Sequence, residues 1–218
     1  MCELINDVSI TEATNVYSYL PPIVAFGFKK VSYEQFKKDM ADEYPYFADP
    51  EHEEELRDYY DNIKLPTRST EDASGYDFYS PIPFLMKPGT TVKIPTGIRV
   101  DIHNDWWLKM LPRSGAGFKY QVHLANTIGN IDADYYRGDN EGHIMVKLVF
   151  PHDHPFDYTF QRVELFGKII NTDLPQSFDV KQGERFVQGV FSQYGITADD
   201  WKTEKKKRTG GMGSSGKF

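Results

Sequence analysis

The feature that most narrows the fold is a period-two alternation of apolar and polar residues, repeated through the middle of the chain and cut by turn residues. Ile98, Val100 and Ile102 alternate with Arg99 and Asp101, and Ile144, Val146 and Leu148 alternate with Met145 and Lys147. Successive side chains on a strand point to opposite faces, so this spacing marks strands that bury one face. Pro88-Gly89, Pro95-Thr96-Gly97 and Gly138-Asp139-Asn140 interrupt the runs with turn formers. Many short strands broken in this way predict an all-β architecture, a sandwich or jelly roll. A chain of 218 residues with 39% hydrophobic and 15% aromatic content can pack such a core as one domain.

Two segments break the β texture. Ile23 to Val31 reads as a strand, but residues 32–62 read as helical. Ser32 followed by Gln35 has the form of a capping box. Asp49-Pro50 is a cap followed by proline at the first helical position, and the acids Glu51, Glu53, Glu54 and Glu55 then crowd the end where the helix dipole favours them. The second break is 151–182, where Pro151 to Pro155 reads as a loop and Tyr158 to Ile170 as a strand pair or a strand and turn.

The single cysteine, Cys2, excludes an intramolecular disulfide. The opening Met-Cys-Glu-Leu-Ile-Asn-Asp has neither a basic lead-in nor an apolar run, so a cytoplasmic location is expected. No segment approaches the roughly 18 apolar residues of a membrane span. A net charge of −7 argues against a broad basic face for long nucleic acid. A small polyanion remains within reach of a few local arginines.

The chemistry concentrates in residues 129–138, Gly-Asn-Ile-Asp-Ala-Asp-Tyr-Tyr-Arg-Gly. Asp132 lies three residues before Tyr135 in a run opened and closed by glycines. A carboxylate beside an aromatic face is suited to activating a water next to a flat, ring-bearing substrate. Upstream, Pro112-Arg113-Ser114-Gly115 offers a forked guanidinium, a hydroxyl and an unobstructed backbone, the parts of a phosphate cradle. Arg208-Thr209-Gly210-Gly211-Met212-Gly213-Ser214-Ser215-Gly216 is a glycine-rich stretch whose backbone N–H groups can wrap an anion.

Taken in order, Ala73-Ser74-Gly75-Tyr76-Asp77, Pro112 to Gly115, residues 129–138, Gly183-Glu184-Arg185 with Gln188, and Arg208 to Gly216 resemble the five motifs of the trimeric dUTP pyrophosphatase (dUTPase) family. The insertions suggest a phage or Gram-positive type. The resemblance covers 63–150 and 178–218 firmly and 21–31 loosely. It implies a jelly-roll-like core in a single domain over 1–218, with a helical insertion at 32–62, an extra insertion at 151–182 and a flexible arm at 205–218. It also implies hydrolysis of dUTP to dUMP and pyrophosphate, Mg²⁺ as cofactor, and a homotrimer with shared sites.

Residue by residue, the resemblance makes Asp132 the base that activates water, and sets Asp77 as a second catalytic carboxylate beside the phosphates and the metal's water shell. Mg²⁺ is then held by substrate phosphates and water, with no direct protein ligand. Tyr135 lies flat under the deoxyribose and excludes a 2′-hydroxyl; Tyr136 is an added tyrosine that leaves the register after Tyr135 open. Asn126, with backbone groups at Gly129 and Ile131, reads the uracil edge, and a mismatched base costs factors of roughly 10⁴. Arg113, Ser114, Gly115 and Gln188 hold phosphates. Arg185 has two equal readings, a phosphate contact or a structural pair with an acid. Arg208, Met212, Gly213, Ser214 and Ser215 form the closing arm, with Met212 where the family usually has a phenylalanine over uracil. Two alternatives stand beside this reading: dCTP deamination, alone or coupled to dUTP hydrolysis, in a family of the same fold, against which Asp132 with Tyr135 and the glycine-rich tail argue, and binding of a repressor protein through 151–182.

Overall fold

A computed structural model of the protein describes residues 26–151, 160–165, 168–173, 177–205, 208 and 210. Among the described residues the fold is mostly β, and every strand pairing is antiparallel. Its largest sheet has five strands, β2 (Thr67–Arg68), β3 (Gly75–Tyr79), β14 (Arg185–Gln193), β7 (Trp106–Pro112) and β9 (Gly129–Asp132), in that spatial order. A three-stranded sheet runs β5 (Thr91–Pro95), β10 (Met145–Val149), β8 (His123–Leu124). Among the described residues there are also three two-stranded pairs. These are β1 (Gly27–Lys30) with β6 (Ile98–Asp101), β4 (Phe84–Met86) with β13 (Phe178–Val180), and β11 (Phe160–Leu165) with β12 (Lys168–Asp173).

The alternation predicted from sequence is the alternation of burial. Ile98, Val100 and Ile102 are buried while Asp101 faces solvent, and Val146 and Leu148 are buried while Lys147 is exposed. Phe78, Leu108, Met110, Ile131 and Val187 bring the inner face of the large sheet to the core, and Ile94, Leu124, Val146 and Leu148 bring that of the smaller one. Each such side chain contributes roughly 1.5–3 kcal/mol on burial, so the core is held by their number rather than by any one of them.

The helical segment is present as α1 (Tyr33–Glu43) and α2 (Glu53–Asp61), joined by 3-10 turns at Pro45–Ala48 and Pro50–His52. It covers its own apolar face, Tyr33, Phe36, Met40 and Leu56, against the β core. The capping box forms by half. Ser32 Oγ accepts from the Gln35 N–H at 3.1 Å, but the Gln35 amide turns to Asp39 at 2.7 Å. The Ser32 N–H that Gln35 was expected to satisfy donates instead to Glu141, 109 residues away. Asp49 caps as expected, accepting from the Glu51 N–H at 3.0 Å, although the turn it opens is 3-10 before α2 begins.

Other expectations shift in detail. The strand expected from Ile23 to Val31 is β1, with 23–25 outside the described residues. The Pro112 to Gly115 loop is the end of β7 followed directly by a short helix, α3 (Ser114–Tyr120), with Arg113 at its cap. The strand pair expected between Tyr158 and Ile170 is the hairpin of β11 and β12, displaced slightly toward the C-terminus. No helix among the described residues is long and apolar enough to cross a membrane.

Candidate active site

The residues singled out from sequence line three cavities that share no lining residue. The first, of about 480 Å³, is lined by Asn126, Tyr135, Asn140, Lys93, Lys147, Ala125 and Met145. Its walls follow from the topology. β8 pairs with β10, whereas β9 pairs with β7, so the connection from Leu124 to Gly129 crosses from one sheet to the other. Asn126 stands exposed on that crossing.

Asp132 ends β9, opposite Trp107 on β7. The chain then turns at once into a 3-10 helix, Ala133–Arg137, that Asp132 opens without capping it through its side chain. The carboxylate is therefore left available, half exposed, and it faces a second cavity of about 240 Å³ with Asn130, Trp107 and Tyr194. Asn130 donates to it at 3.0 Å. Arg208 reaches it at 3.4 Å and reaches Asp134 at 3.2 Å.

The tight turn after Asp132 swings Tyr135 inward, where only 2% of it is exposed. Its hydroxyl donates to the His143 carbonyl at 2.7 Å and accepts from Asn140 Nδ2 at 2.9 Å. Burial pushes the phenol's pKa up, against the opposing effects of Asn140 and Arg208, and keeps it a donor. The Arg208 guanidinium lies 5.1 Å from the Tyr135 ring centre, so this one side chain touches both the carboxylate and the aromatic wall. Tyr136 faces elsewhere: Arg99 stacks on it at 3.8 Å and Lys29 donates to its hydroxyl.

The third cavity, of about 190 Å³, is lined by Arg113, Gly115, Lys119, Arg185 and their apolar neighbours. Two of its lining arginines share Asp77, which is buried on β3. Arg113 Nε meets one carboxylate oxygen at 3.0 Å and Arg185 Nη1 meets the other at 3.2 Å. Both oxygens of Asp77, expected as a catalytic carboxylate, are engaged by guanidiniums. The pairing also gives Arg185 an acid partner within its own subunit. The two guanidiniums remain 34% and 44% exposed, so their outer edges are open to an anion. Ser114 is exposed, and a side chain at Gly115 would meet nothing within 4 Å. The Gln188 amide, expected to serve phosphate, gives one of its two N–H donors to the Pro112 carbonyl at 3.3 Å.

Ile131 is 1% exposed and its side chain packs in the core, so what it can offer a base is its backbone. Gly129 is buried too, and a Cβ there would lie 2.8 Å from that of Met110, which leaves backbone groups as its one means of contact. Met212, Gly213, Ser214 and Ser215 lie outside the described residues. Sequence reasoning missed Lys93, Lys147, Asn140 and His143. The polar run Asn140-Glu141-Gly142-His143, directly after the Gly138 turn, was the available signal. No group of three or more His, Cys, Asp or Glu side chains arranged to hold a metal occurs among the described residues.

The dUTPase family model matches residues 61–162. The deoxyuridine 5′-triphosphate nucleotidohydrolase of Lactococcus lactis is 34% identical over 155 residues, covering 71% of this chain and 89% of that protein. Its counterpart from Nautilia profundicola is 29% identical over 156 residues, covering 70% and 91%. Among solved structures, a variant of the phage 80alpha dUTPase superposes with a TM-score of 0.50 at 19% identity, covering 80% of this chain and 87% of that one. At that identity the likeness speaks to the fold alone.

Proposed function

The chain belongs to the dUTPase family of deoxyuridine triphosphate nucleotidohydrolases, and from that premise we propose how its residues divide the work. Asp132 orients a water and accepts its proton as the water attacks the α-phosphorus of dUTP. dUMP and pyrophosphate leave. The observation that carries this reading is the convergence of Asp132, Tyr135 and Arg208, a half-exposed carboxylate and an aromatic wall bridged by one guanidinium. Arg208 pairs with Asp132 and Asp134 in the structure; with substrate bound it closes on the outer phosphates. Its release leaves Asp132 free to act as a base.

Asn126 and the backbone of the crossing segment read the base, and the Tyr135 ring forms the floor under the sugar. The cavity they line is large enough for a nucleoside. Arg113 and Arg185 contact phosphate oxygens through their open edges, held in place by Asp77. Asp77 thus acts through the arginines and not on water. Mg²⁺, when bound with the triphosphate, would supply charge dispersal on the phosphates, with no cluster of protein ligands needed to hold it.

The separation of the three cavities within one chain supports a homotrimer in which sites combine parts from different subunits. The helical segment at 32–62, the 151–182 segment and the 205–218 arm are appendages of one domain in this reading. The test is pyrophosphate release from each of dUTP, dCTP, dTTP, dATP, dGTP and UTP with Mg²⁺. Turnover confined to dUTP is expected. Ammonia release from dCTP would replace this mechanism with a deaminase.

A further inference from the structure

Helix α1 and the residues that cap it hold one residue of the nucleoside cavity's wall, Lys93, and the Glu141–His143 loop beside it. Asp39 takes a hydrogen bond from His143 Nδ1 at 2.6 Å. The Glu141 carboxylate accepts from the Ser32 N–H at 2.9 Å and from the Ser32 hydroxyl. Glu43 pairs with Lys93, a residue of the cavity wall, and the Tyr44 hydroxyl donates to the Lys93 carbonyl at 2.7 Å.

The first two grips bracket a segment with no slack. His143 is fully buried, and its Nε2 accepts the Gly97 N–H at 2.7 Å. An acceptor at Nε2 requires the proton at Nδ1, so the ring is neutral, in one tautomer, and donates to Asp39. Gly142, between Glu141 and His143, has φ +72°, and a Cβ there would stand 2.6 Å from Tyr136 Cα and 2.8 Å from the Tyr135 carbonyl oxygen. The loop therefore lies directly on the Tyr135–Tyr136 backbone. His143 accepts the Tyr135 hydroxyl on its own carbonyl, and Asn140 completes the clasp. A displacement of His143 has no route of relief that leaves the Tyr135 ring in place.

We infer that α1 sets the depth of the Tyr135 ring in the nucleoside cavity, with Asp39 and His143 as positioning residues for sugar discrimination. The inference rests on the reading of Tyr135 as the floor under the deoxyribose. It gives the helical segment a part in substrate selection, exerted from outside the cavity through the hydrogen-bonded chain Asp39, His143, Tyr135. The geometry of a bound substrate is sensitive to such support, since a misplacement of about 1 Å can cost up to about a hundredfold.

The experiment compares kcat/KM for dUTP and for UTP in wild type, Asp39→Ala, Asp39→Asn and Tyr135→Ala, with a thermal melt of each. Asp39→Ala removes the acceptor and is expected to lower the dUTP/UTP ratio about tenfold or more. Asp39→Asn keeps an oxygen for the Nδ1 proton and is expected to hold the ratio within about twofold of wild type. A merely structural role would lower the melting temperature of Asp39→Ala and leave its ratio unchanged. Should Asp39→Ala not fold, Glu141→Ala loosens the same loop at its partly exposed end and carries the same expectation. An unchanged ratio in Asp39→Ala, or in Glu141→Ala in its place, beside a lowered ratio in Tyr135→Ala overturns the role of α1 alone. An unchanged ratio in Tyr135→Ala overturns the reading of the sugar floor and this inference with it.

Discussion

Replacing Asp77 by asparagine tests whether the acid at the third cavity is a brace. Its side chain is 8% exposed, and each oxygen has its own guanidinium, Arg113 Nε at 3.0 Å and Arg185 Nη1 at 3.2 Å. Breaking a fully buried pair by removing one partner costs about 3–5 kcal/mol, because a charge is left unpaired and dry. Here the partners are 34% and 44% exposed, so the orphaned guanidiniums recover hydration and the figure must be discounted toward the surface value of about 1 kcal/mol or less. Asparagine keeps one oxygen for one arginine but turns an amide donor toward the other. The loss therefore falls at about 1–3 kcal/mol. At about 2–4 °C per kcal/mol for a chain of this size, the melting temperature should drop by about 2–12 °C. The assay is thermal unfolding at fixed protein concentration, in low salt and in about 1 M salt. Because the carboxylate is buried, most of the difference should persist at high salt, where the Debye length falls to about 3 Å. A melting temperature within about 1 °C of wild type would refute the brace. So would a difference that vanishes in salt, since it would show solvent-screened charges.

Asp132→Asn keeps size and removes the base, and kcat should fall at least about a hundredfold while dUTP binding, measured by calorimetry, persists. Mixing Asp132→Asn with Arg113→Ala subunits, by co-refolding, should give activity above either parent if sites combine residues of different subunits; no gain would place each site within one chain. Gly142→Ala puts a side chain at φ +72° against the Tyr135 and Tyr136 backbone and should destabilise by more than about 2 kcal/mol, read as a lowered denaturant midpoint. Burial raises the Asp39 carboxyl, but hydrogen bonds from His143 and Gln35 outweigh it and leave its pKa below the ordinary value. Its contribution to stability is then complete above the unfolded pKa of about 3.9 and is lost as pH falls through the lowered folded value. Asp39→Asn should accordingly flatten the fall of stability below about pH 4, followed by denaturant unfolding across pH, and leave the slope above pH 6 unchanged.

How far the chain could be read in advance depended on the range of each interaction. The strands around Ile98–Asp101 and Met145–Val149 were legible because a strand's two faces repeat every second residue, and burial follows that repeat whatever the partner strand. The helix starts at Ser32 and Asp49 were legible because a cap acts over two or three residues. The family was legible because its motifs are contiguous runs whose order survives without knowledge of the fold.

Contacts between distant positions were not legible. Nothing local distinguishes the Glu141 that takes the Ser32 N–H from any other surface glutamate, so the reciprocal half of the capping box was assigned to Gln35. Asp77 stood in a motif beside the expected phosphates and was read as chemistry; only the tertiary fold brings Arg113, 36 residues away, and Arg185, 108 residues away, to its two oxygens. His143 carried no motif, and its partner Asp39 is 104 residues away. By itself the sequence determined where strands and helices begin, which family's motifs the chain carries, and which residue types could act. The tertiary structure decided which of those residues are free to act and which are held, because a buried polar group is defined by the partner that satisfies it, and that partner is chosen by packing rather than by neighbourhood in the chain.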